Sequence, residues 1–232
     1  MSITFSPRAI VMDIEGTISS LTFVKDVLFP YARQHIAAYV RDNAATLEPL
    51  FADIRQIEGK PELDIEGIIT TLIGWIDADR KITPLKELQG RIWKTGFEQQ
   101  AFKGHIYADA AERLRAWHAA GIPLYIYSSG SVAAQKLLFG FSEYGDFTTI
   151  LSGYFDTTTG PKLEAASYTL IAQKLALPPA DILFLSDHAG EVTAARAAGY
   201  QVALLDRECT GAQVPFPVAT TFTDLEIGVP VT

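Results

Sequence analysis

Residues 122–139 have the sequence IPLYIYSSGSVAAQKLLF, and this stretch decides the fold. Its first six residues form a short apolar run, which is typical of a strand buried on both faces. The Ser-Ser-Gly-Ser segment that follows predicts a turn, and residues 132–139 then have helical character. A strand that leads directly into a helix is half of a βαβ unit, in which a crossover helix joins two parallel strands.

The same alternation of strand and helix continues through the second half of the chain. Further strands are predicted at residues 9–12, 148–151, 182–185 and 201–205, and helices at 108–120, 163–177 and 191–198. Short strands that alternate with helices predict an α/β fold, in which helices cover both faces of a parallel sheet.

The region from residue 20 to residue 103 interrupts this alternation. Apolar residues recur there at helical spacing over residues 24–40, 65–76 and 85–97, with Pro30 as a kink or a restart. We therefore expect two domains. Residues 1–19 and 104–232 form the α/β core domain, and residues 20–103 form an inserted helical domain.

Composition excludes several classes of protein. Of the 232 residues 48% are hydrophobic, which excludes a disordered chain, and a single cysteine, Cys209, excludes a disulfide scaffold. A net charge of −8 provides no electrostatic footprint for nucleic acid or an anionic membrane. The chain also lacks a signal-peptide pattern and an apolar run of about 20 residues. We expect a soluble cytoplasmic protein with no nucleic-acid or membrane partner.

The strand at residues 9–12 leads into Asp13-Ile14-Glu15-Gly16-Thr17. Ligands of open α/β sheets bind outside the carboxyl ends of the strands, so Asp13 lies where a site is expected. Of two carboxylates separated by one residue, one can act as a nucleophile or metal ligand while the other transfers protons. The alternative is an ordinary turn, since Asp and Gly are common in turns.

Ser128-Ser129-Gly130-Ser131 follows the strand at residues 122–127. Hydroxyls and backbone N–H groups in such a strand-to-helix turn can bind a phosphate, helped by the start of the following helix. The alternative is that a serine only caps that helix, a role that Ser performs well.

Charged residues follow the later strands as well. Asp187 could complete a site for a hard cation together with Asp13, because Mg²⁺ takes one or two carboxylates plus water and substrate phosphate. Glu191 either holds a metal-bound water or favours the first turn of its helix. Lys162, in a Gly-Pro-Lys turn, is either a solvated surface charge or the cation that a bound phosphate needs.

The order acid-x-acid-Gly-Thr, strand-Ser, Lys, strand-Asp resembles the haloacid-dehalogenase-like phosphotransferases. The resemblance implies a Rossmannoid parallel-sheet core with an inserted helical cap that closes over the substrate. It implies that Asp13 is the nucleophile of an aspartyl-phosphate, that Glu15 is the acid and base, and that Lys162 stabilises charge. It also implies phosphate binding by Ser128 and Ser129 with Lys162, and one Mg²⁺ per subunit on Asp13, Asp187 and the main-chain carbonyl of Glu15.

Glu15 stands where most phosphatases of this superfamily have Asp, and the form DIEGT is similar to the enolase-phosphatases of methionine salvage. So are YSSGS at residues 127–131 and other segments, from the helical region to residue 157. This likeness implies enolisation of 2,3-diketo-5-methylthiopentyl-1-phosphate and then Mg²⁺-dependent dephosphorylation to the acireductone 1,2-dihydroxy-3-keto-5-methylthiopentene. The only expected partner is this small phosphorylated diketone, and the protein is expected to be a monomer. Residues 206–211 depart from the basic-Pro-Gly-Asn loop of this family.

Three alternatives stay open. A Mg²⁺-dependent phosphatase for another small metabolite, such as a sugar phosphate or phosphoglycolate, would share the core motifs but does not account for Glu15. A dehalogenase has no use for a second acid, a Mg²⁺ site or a phosphate-binding turn. A non-catalytic protein that binds a phosphorylated ligand could keep the fold, although every catalytic position holds a chemically competent residue.

Overall fold

The computed structural model describes residues 2–228, which form two compact units. The first, called here the α/β unit, comprises the chain up to residue 21 and from residue 104 onward. The second, the helical unit, comprises residues 22–103. Within residues 2–228, no helix is long and apolar enough to span a membrane.

Eight strands lie in the described part of the α/β unit. They are β1 (Ile3–Phe5), β2 (Ala9–Met12), β3 (Leu124–Tyr127), β4 (Gly153–Phe155), β5 (Ile182–Ser186), β6 (Gln201–Leu205), β7 (Val218–Ala219) and β8 (Leu225–Ile227). Six of them form one parallel sheet in the order β4-β3-β2-β5-β6-β7, and β1 pairs with β8 separately. β2 lies between β3 and β5, and all four of its residues are buried.

The helical unit contains a series of helices that begins at the boundary between the two units. They are α1 (Leu21–Phe23), a π-helical turn (Val24–Leu28), α2 (Phe29–Asp42), α3 (Ala44–Glu58), α4 (Ile65–Asp77) and α5 (Thr83–Glu98). Pro30 lies in the first turn of α2, directly after the π-helical turn, and Leu28 and Phe29 before it are already helical, so the chain stays helical through this proline instead of restarting there. Apolar residues of α2 to α5 pack together, among them the almost fully buried Trp75.

Helices α6 (Ala108–Ala119), α7 (Val132–Gly140), α8 (Ala165–Leu175) and α9 (Ala189–Ala197) complete the α/β unit. α8 and α9 pack through Tyr168, Ile171 and Val192 against buried residues of β5, β6 and their neighbours. The predicted strand at 148–151 is wrong, because residues 148–150 form a turn. The carboxylate of Asp146 accepts hydrogen bonds from the N–H and hydroxyl of Thr148, at 2.7 and 2.6 Å, which stabilises that turn.

All six strands of the main sheet are parallel, so their carboxyl ends meet at one edge. Asp13 follows β2, Ser128 follows β3 and Asp187 follows β5. Because these three strands are neighbours, the sheet places the three residues side by side at that edge.

Candidate active site

Asp13 is the first residue after the central strand β2. Its N–H donates to the carbonyl of Leu185 at 2.9 Å, which fixes its backbone against β5. Its side chain is only 9% exposed. Burial raises the pKa of Asp13 to about 7, and the nearby positive charge of Lys162 opposes that rise. The charge of a carboxylate this poorly solvated needs nearby cations or hydrogen-bond donors to stabilise it.

Lys162 supplies one such cation. Its Nζ lies 2.5 Å from Oδ1 of Asp13 and 2.6 Å from Oε2 of Glu191. Burial lowers the pKa of Lys162, but the charges of these two carboxylates more than offset that effect, so its pKa is raised above the ordinary value. Lys162 is therefore a buried, charged group and not the solvated surface lysine that such a turn usually carries.

Glu191 lies in the first turn of α9 and faces the same cluster. Its Oε2 accepts a hydrogen bond from the hydroxyl of Ser186 at 2.9 Å, in addition to its ion pair with Lys162. The Nδ1 atom of His188 accepts the N–H of Glu191 and so caps this helix. Glu191 is thus both a residue of the first helical turn and an anion of the candidate site.

Asp187 packs directly on the loop that follows Asp13. Its N–H donates to Oγ1 of Thr17 at 2.9 Å. Gly16 has a positive φ of 74°, and a Cβ added there would lie 2.1 Å from Oδ2 of Asp187. Only glycine leaves room for this carboxylate. Burial, followed by the charge of Glu191, raises the pKa of Asp187 to about 6.

Glu15 lies in the same loop, two residues after Asp13, and is half-buried. The loop is closed by the Gly16 N–H, which donates to the carbonyl of Ser19 at 2.7 Å, and by backbone pairing of Glu15 with Ser19. This geometry holds the Glu15 backbone close to Asp13. The role of Glu15 as acid and base remains a prediction.

The serines after β3 divide into two groups. Ser128 is buried; its N–H donates to the carbonyl of Phe155 at 3.2 Å, and its hydroxyl accepts the N–H of Gly130 at 3.3 Å. Ser129 is exposed at the edge of the sheet. Ser131 caps α7 by accepting the N–H of Ala134 at 3.3 Å. The capping role therefore belongs to Ser131, and Ser128 and Ser129 remain candidates for phosphate binding.

Comparison with known proteins identifies the family. Residues 7–199 match the family model of the haloacid dehalogenase-like hydrolases. The chain is 56% identical over 203 residues to enolase-phosphatase E1 of Methylococcus capsulatus, which covers 87% of this chain and 89% of that protein. It is 52% identical over 221 residues to enolase-phosphatase E1 of Azotobacter vinelandii, covering 94% and 97% of the two chains. The chain belongs to the enolase-phosphatase family of haloacid dehalogenase-like hydrolases.

A solved structure supports this assignment. The UTR4 protein of Saccharomyces cerevisiae is similar with a TM-score of 0.80 and 30% identity, covering 94% of this chain and 99% of that one. The predicted resemblance, the α/β fold class and a hydrolase of the phosphatase type are confirmed. The individual site residues stay predictions.

The donor set of this enolase-phosphatase fits Mg²⁺. Asp13 and Asp187 are poorly solvated carboxylates whose pKa values burial raises, so a bound cation would relieve the cost of ionising them. Within residues 2–228, no three His, Cys, Asp or Glu side chains gather as a metal site. Mg²⁺ needs no such cage, because it takes one or two carboxylates and completes its shell with water, carbonyls and substrate phosphate.

Sequence reasoning missed Arg207, which lies after β6. Its Nε and Nη2 donate to the carbonyl of Thr17 at 3.0 and 2.7 Å, and its Nη1 donates to both carboxylate oxygens of Asp109. The rings of Tyr107 and Phe222 lie 4.2 and 5.1 Å from the guanidinium carbon. Arg207 therefore binds the backbone of the loop that follows Asp13, at the carbonyl of Thr17. No local pattern signals this contact, because Thr17 and Arg207 are 190 residues apart.

Proposed function

We propose that this protein is the bifunctional enolase-phosphatase of methionine salvage. It would enolise 2,3-diketo-5-methylthiopentyl-1-phosphate and then hydrolyse the phosphate ester to give 1,2-dihydroxy-3-keto-5-methylthiopentene. The observation that carries the proposal is the buried contact of Lys162 with Asp13 and Glu191 at the carboxyl edge of the sheet. It occurs in a chain 52% and 56% identical to proteins named enolase-phosphatase.

In the phosphatase step, Asp13 attacks phosphorus while the bond from phosphorus to the leaving oxygen breaks. Glu15 donates a proton to that oxygen, then removes a proton from the water that hydrolyses the aspartyl-phosphate, so Asp13 is regenerated and phosphate is released. Lys162 and the hydroxyls of Ser128 and Ser129 would hold the phosphate oxygens. Lys162 already contacts Asp13, so it is placed where a phosphoryl group would be transferred.

Haloacid dehalogenase-like phosphatases are generally Mg²⁺-dependent, and we propose one Mg²⁺ per subunit. Asp13, Asp187 and the main-chain carbonyl of Glu15 would hold it. When bound, the ion neutralises phosphate charge so that an anionic nucleophile can approach. The residues of the chain do the rest: they hold the phosphate, exclude water and move protons.

The enolisation step needs a base and a group that polarises a carbonyl. Glu15 and Glu191 are the candidate bases, and Lys162 is the candidate for polarisation. The Oε2 atom of Glu191 accepts hydrogen bonds from Lys162 and Ser186, which anchors this carboxylate in the candidate site, and the two glutamates stay alternatives for the base. We further propose that residues 20–103 form the cap domain that selects the substrate, and that the enzyme acts as a cytoplasmic monomer.

The test is a coupled assay with the diketone phosphate that records enolisation and phosphate release separately. Asp13→Asn should abolish phosphate release while the enediol chromophore still forms. A matched control is Asp181→Asn, the same change at a half-buried residue directly before β5, at the end of that strand opposite Asp187. Undiminished phosphate release by Asp13→Asn would show that Asp13 is not the nucleophile. Faster turnover of a sugar phosphate or phosphoglycolate than of the diketone phosphate would favour the alternative phosphatase.

A further inference from the structure

The loop that carries Lys162 is fixed by three hydroxyl groups from other parts of the α/β unit. The hydroxyl of Tyr127 donates to the carbonyl of Gly160 at 2.8 Å, and that of Ser167 donates to the carbonyl of Pro161 at 2.7 Å. The hydroxyl of Tyr168 donates to the carbonyl of Lys162 at 2.8 Å. The acceptors are three consecutive carbonyls. We call these three donors the hydroxyl clamp.

The hydroxyl clamp takes the place of regular secondary structure. Residues 160–162 lie between β4 and α8, outside the backbone ladders of strand and helix, and besides these hydroxyls the carbonyl of Pro161 accepts the N–H of Glu164 at 3.2 Å. Tyr127 and Tyr168 are fully buried and Ser167 is 3% exposed, so water cannot substitute for these donors. Burial raises the pKa of both tyrosines, so they remain protonated donors at physiological pH.

Fixing this backbone fixes the origin of a flexible side chain. A lysine side chain has four rotatable bonds, so its ammonium occupies a defined position only if the position of its Cα is fixed. The ammonium of Lys162 must lie between Asp13 and Glu191, at 2.5 and 2.6 Å. Tyr127 contacts both the loop and the lysine side chain. Its hydroxyl donates to the loop carbonyl, and its ring centroid lies 5.7 Å from Nζ of Lys162.

We propose that Tyr127, Ser167 and Tyr168 are positioning residues that place the Lys162 ammonium for phosphate binding and transfer. This inference rests on the role of Lys162 in the proposed function. Ordinary core packing accounts for buried rings, but it does not account for three hydroxyls that converge on three consecutive carbonyls beneath one functional side chain.

The test compares two Tyr→Phe variants in the same aromatic cluster. Tyr168→Phe removes the bond to the carbonyl of Lys162 and leaves the ring in place. The control is Tyr200→Phe, whose buried hydroxyl donates at 2.8 Å to the carbonyl of Tyr168 within α8, so it caps a carbonyl outside the loop. Both variants should lose similar stability in urea unfolding.

Turnover distinguishes the two variants. We expect kcat for phosphate release to fall about tenfold in Tyr168→Phe, the size of one lost hydrogen bond, and to stay near wild type in Tyr200→Phe. Amide hydrogen exchange of residues 160–164 should accelerate in Tyr168→Phe alone. Equal kcat and equal exchange in the two variants would overturn the inference, because the clamp would then have only a structural role.

A double-mutant cycle tests whether Tyr168 acts through Lys162. Lys162→Met keeps the apolar part of the side chain and removes the charge. Added to Lys162→Met, the Tyr168→Phe change should cause no further loss of inorganic phosphate binding measured by calorimetry. If the fold-losses of phosphate affinity in the two single variants multiply in the double variant, Tyr168 acts independently of Lys162 and the inference is wrong. If Lys162→Met alone keeps full phosphate release, the proposed function of the lysine fails, which is a different outcome.

Discussion

Gly16 tolerates no side chain, and this makes the placement of Asp187 testable. A Cβ at Gly16 would lie 2.1 Å from Oδ2 of Asp187, 2.4 Å from its Cγ and 3.0 Å from its Cβ. Because even the Cβ of Asp187 is too close, rotation of its side chain alone does not relieve the clash. Ordinary contact begins at 3.4 Å, so Oδ2 must move by about 1.3 Å (3.4 − 2.1) in Gly16→Ala.

Two separate costs follow for Gly16→Ala. The first is conformational: a φ of +74° costs an alanine about 1–2 kcal/mol of stability. The second is functional, because a displacement of about 1 Å at a catalytic group lowers turnover roughly 100-fold. The control Gly121→Ala isolates the first cost, since Gly121 has a φ of +77° and no atom within 4 Å of an added Cβ.

Urea unfolding at 25 °C and phosphate release at saturating Mg²⁺ measure the two costs. We expect both variants to lose about 1–2 kcal/mol of unfolding free energy, and only Gly16→Ala to lose turnover by about two orders of magnitude. Turnover of Gly16→Ala equal to that of Gly121→Ala would refute the reasoning, because Asp187 would then be either able to move freely or unnecessary.

Three further predictions concern charge. Arg207→Met should cost about 3 kcal/mol of stability, because Asp109 loses its paired cation and keeps only the N–H of Phe222, whereas the exposed Arg33→Met should cost much less. Equal losses in chemical unfolding would contradict this. Hydrogen bonds, first from the Thr210 N–H, hold the pKa of Asp206 below its ordinary 3.8, so its stabilisation is present above that pH and lost below it. Asp206→Asn should therefore destabilise the protein at pH 7 in thermal unfolding, and the difference from wild type should shrink as the pH falls below 3.8. Removal of Mg²⁺ by a chelator should stop phosphate release, and Mg²⁺ at 100 times its Kd should restore it. The bound ion should also stabilise the folded protein by about 2.7 kcal/mol, which raises the Tm. An unchanged Tm would argue against a Mg²⁺ site.

The central strands could be predicted from sequence because burial on both faces leaves a continuous apolar run. Residues 9–12 and 201–205 are strands with the predicted bounds, and the strand predicted at 182–185 extends one residue further. The strand predicted to begin at residue 122 begins at Leu124, after Pro123, which has no N–H to contribute to a ladder. These errors are small because the signal, apolar burial, is local.

The edge strand was mispredicted for the same physical reason. β4 (Gly153–Phe155) is half-buried along its whole length and contains a glycine, so it has no continuous apolar run. The β-branched pair Thr148-Thr149 imitates a strand, but the side chain of Asp146 accepts from Thr148 and closes a turn instead. A side chain two residues away thus outweighed the propensity of the segment.

The positions of candidate site residues at strand ends could be predicted from the sequence, and the contacts among them could not. Asp13, Ser128 and Asp187 each end a strand, so parallel pairing alone brings them to one edge. Lys162 and Asp13 are 149 residues apart, and only the tertiary fold shows that the lysine also pairs with Glu191. The helix-start interpretation of Glu191 was correct but incomplete, because one carboxylate can serve both a helix terminus and a site.

The loop at residues 206–211 departs from the basic-Pro-Gly-Asn loop of the family, yet it is held in a defined shape and contacts the loop that follows Asp13. Asp206 accepts hydrogen bonds from the N–H and hydroxyl of Thr210 and from the N–H groups of Gly211 and Ala212, so one carboxylate shapes the whole loop. That shape leaves Arg207 free to reach the carbonyl of Thr17, whose hydroxyl in turn accepts the N–H of Asp187. The loop therefore contacts the candidate site through the side chain of Arg207. Local sequence patterns do not reveal such a loop, because Asp206 organises it through hydrogen bonds and Arg207 contacts a residue 190 positions away.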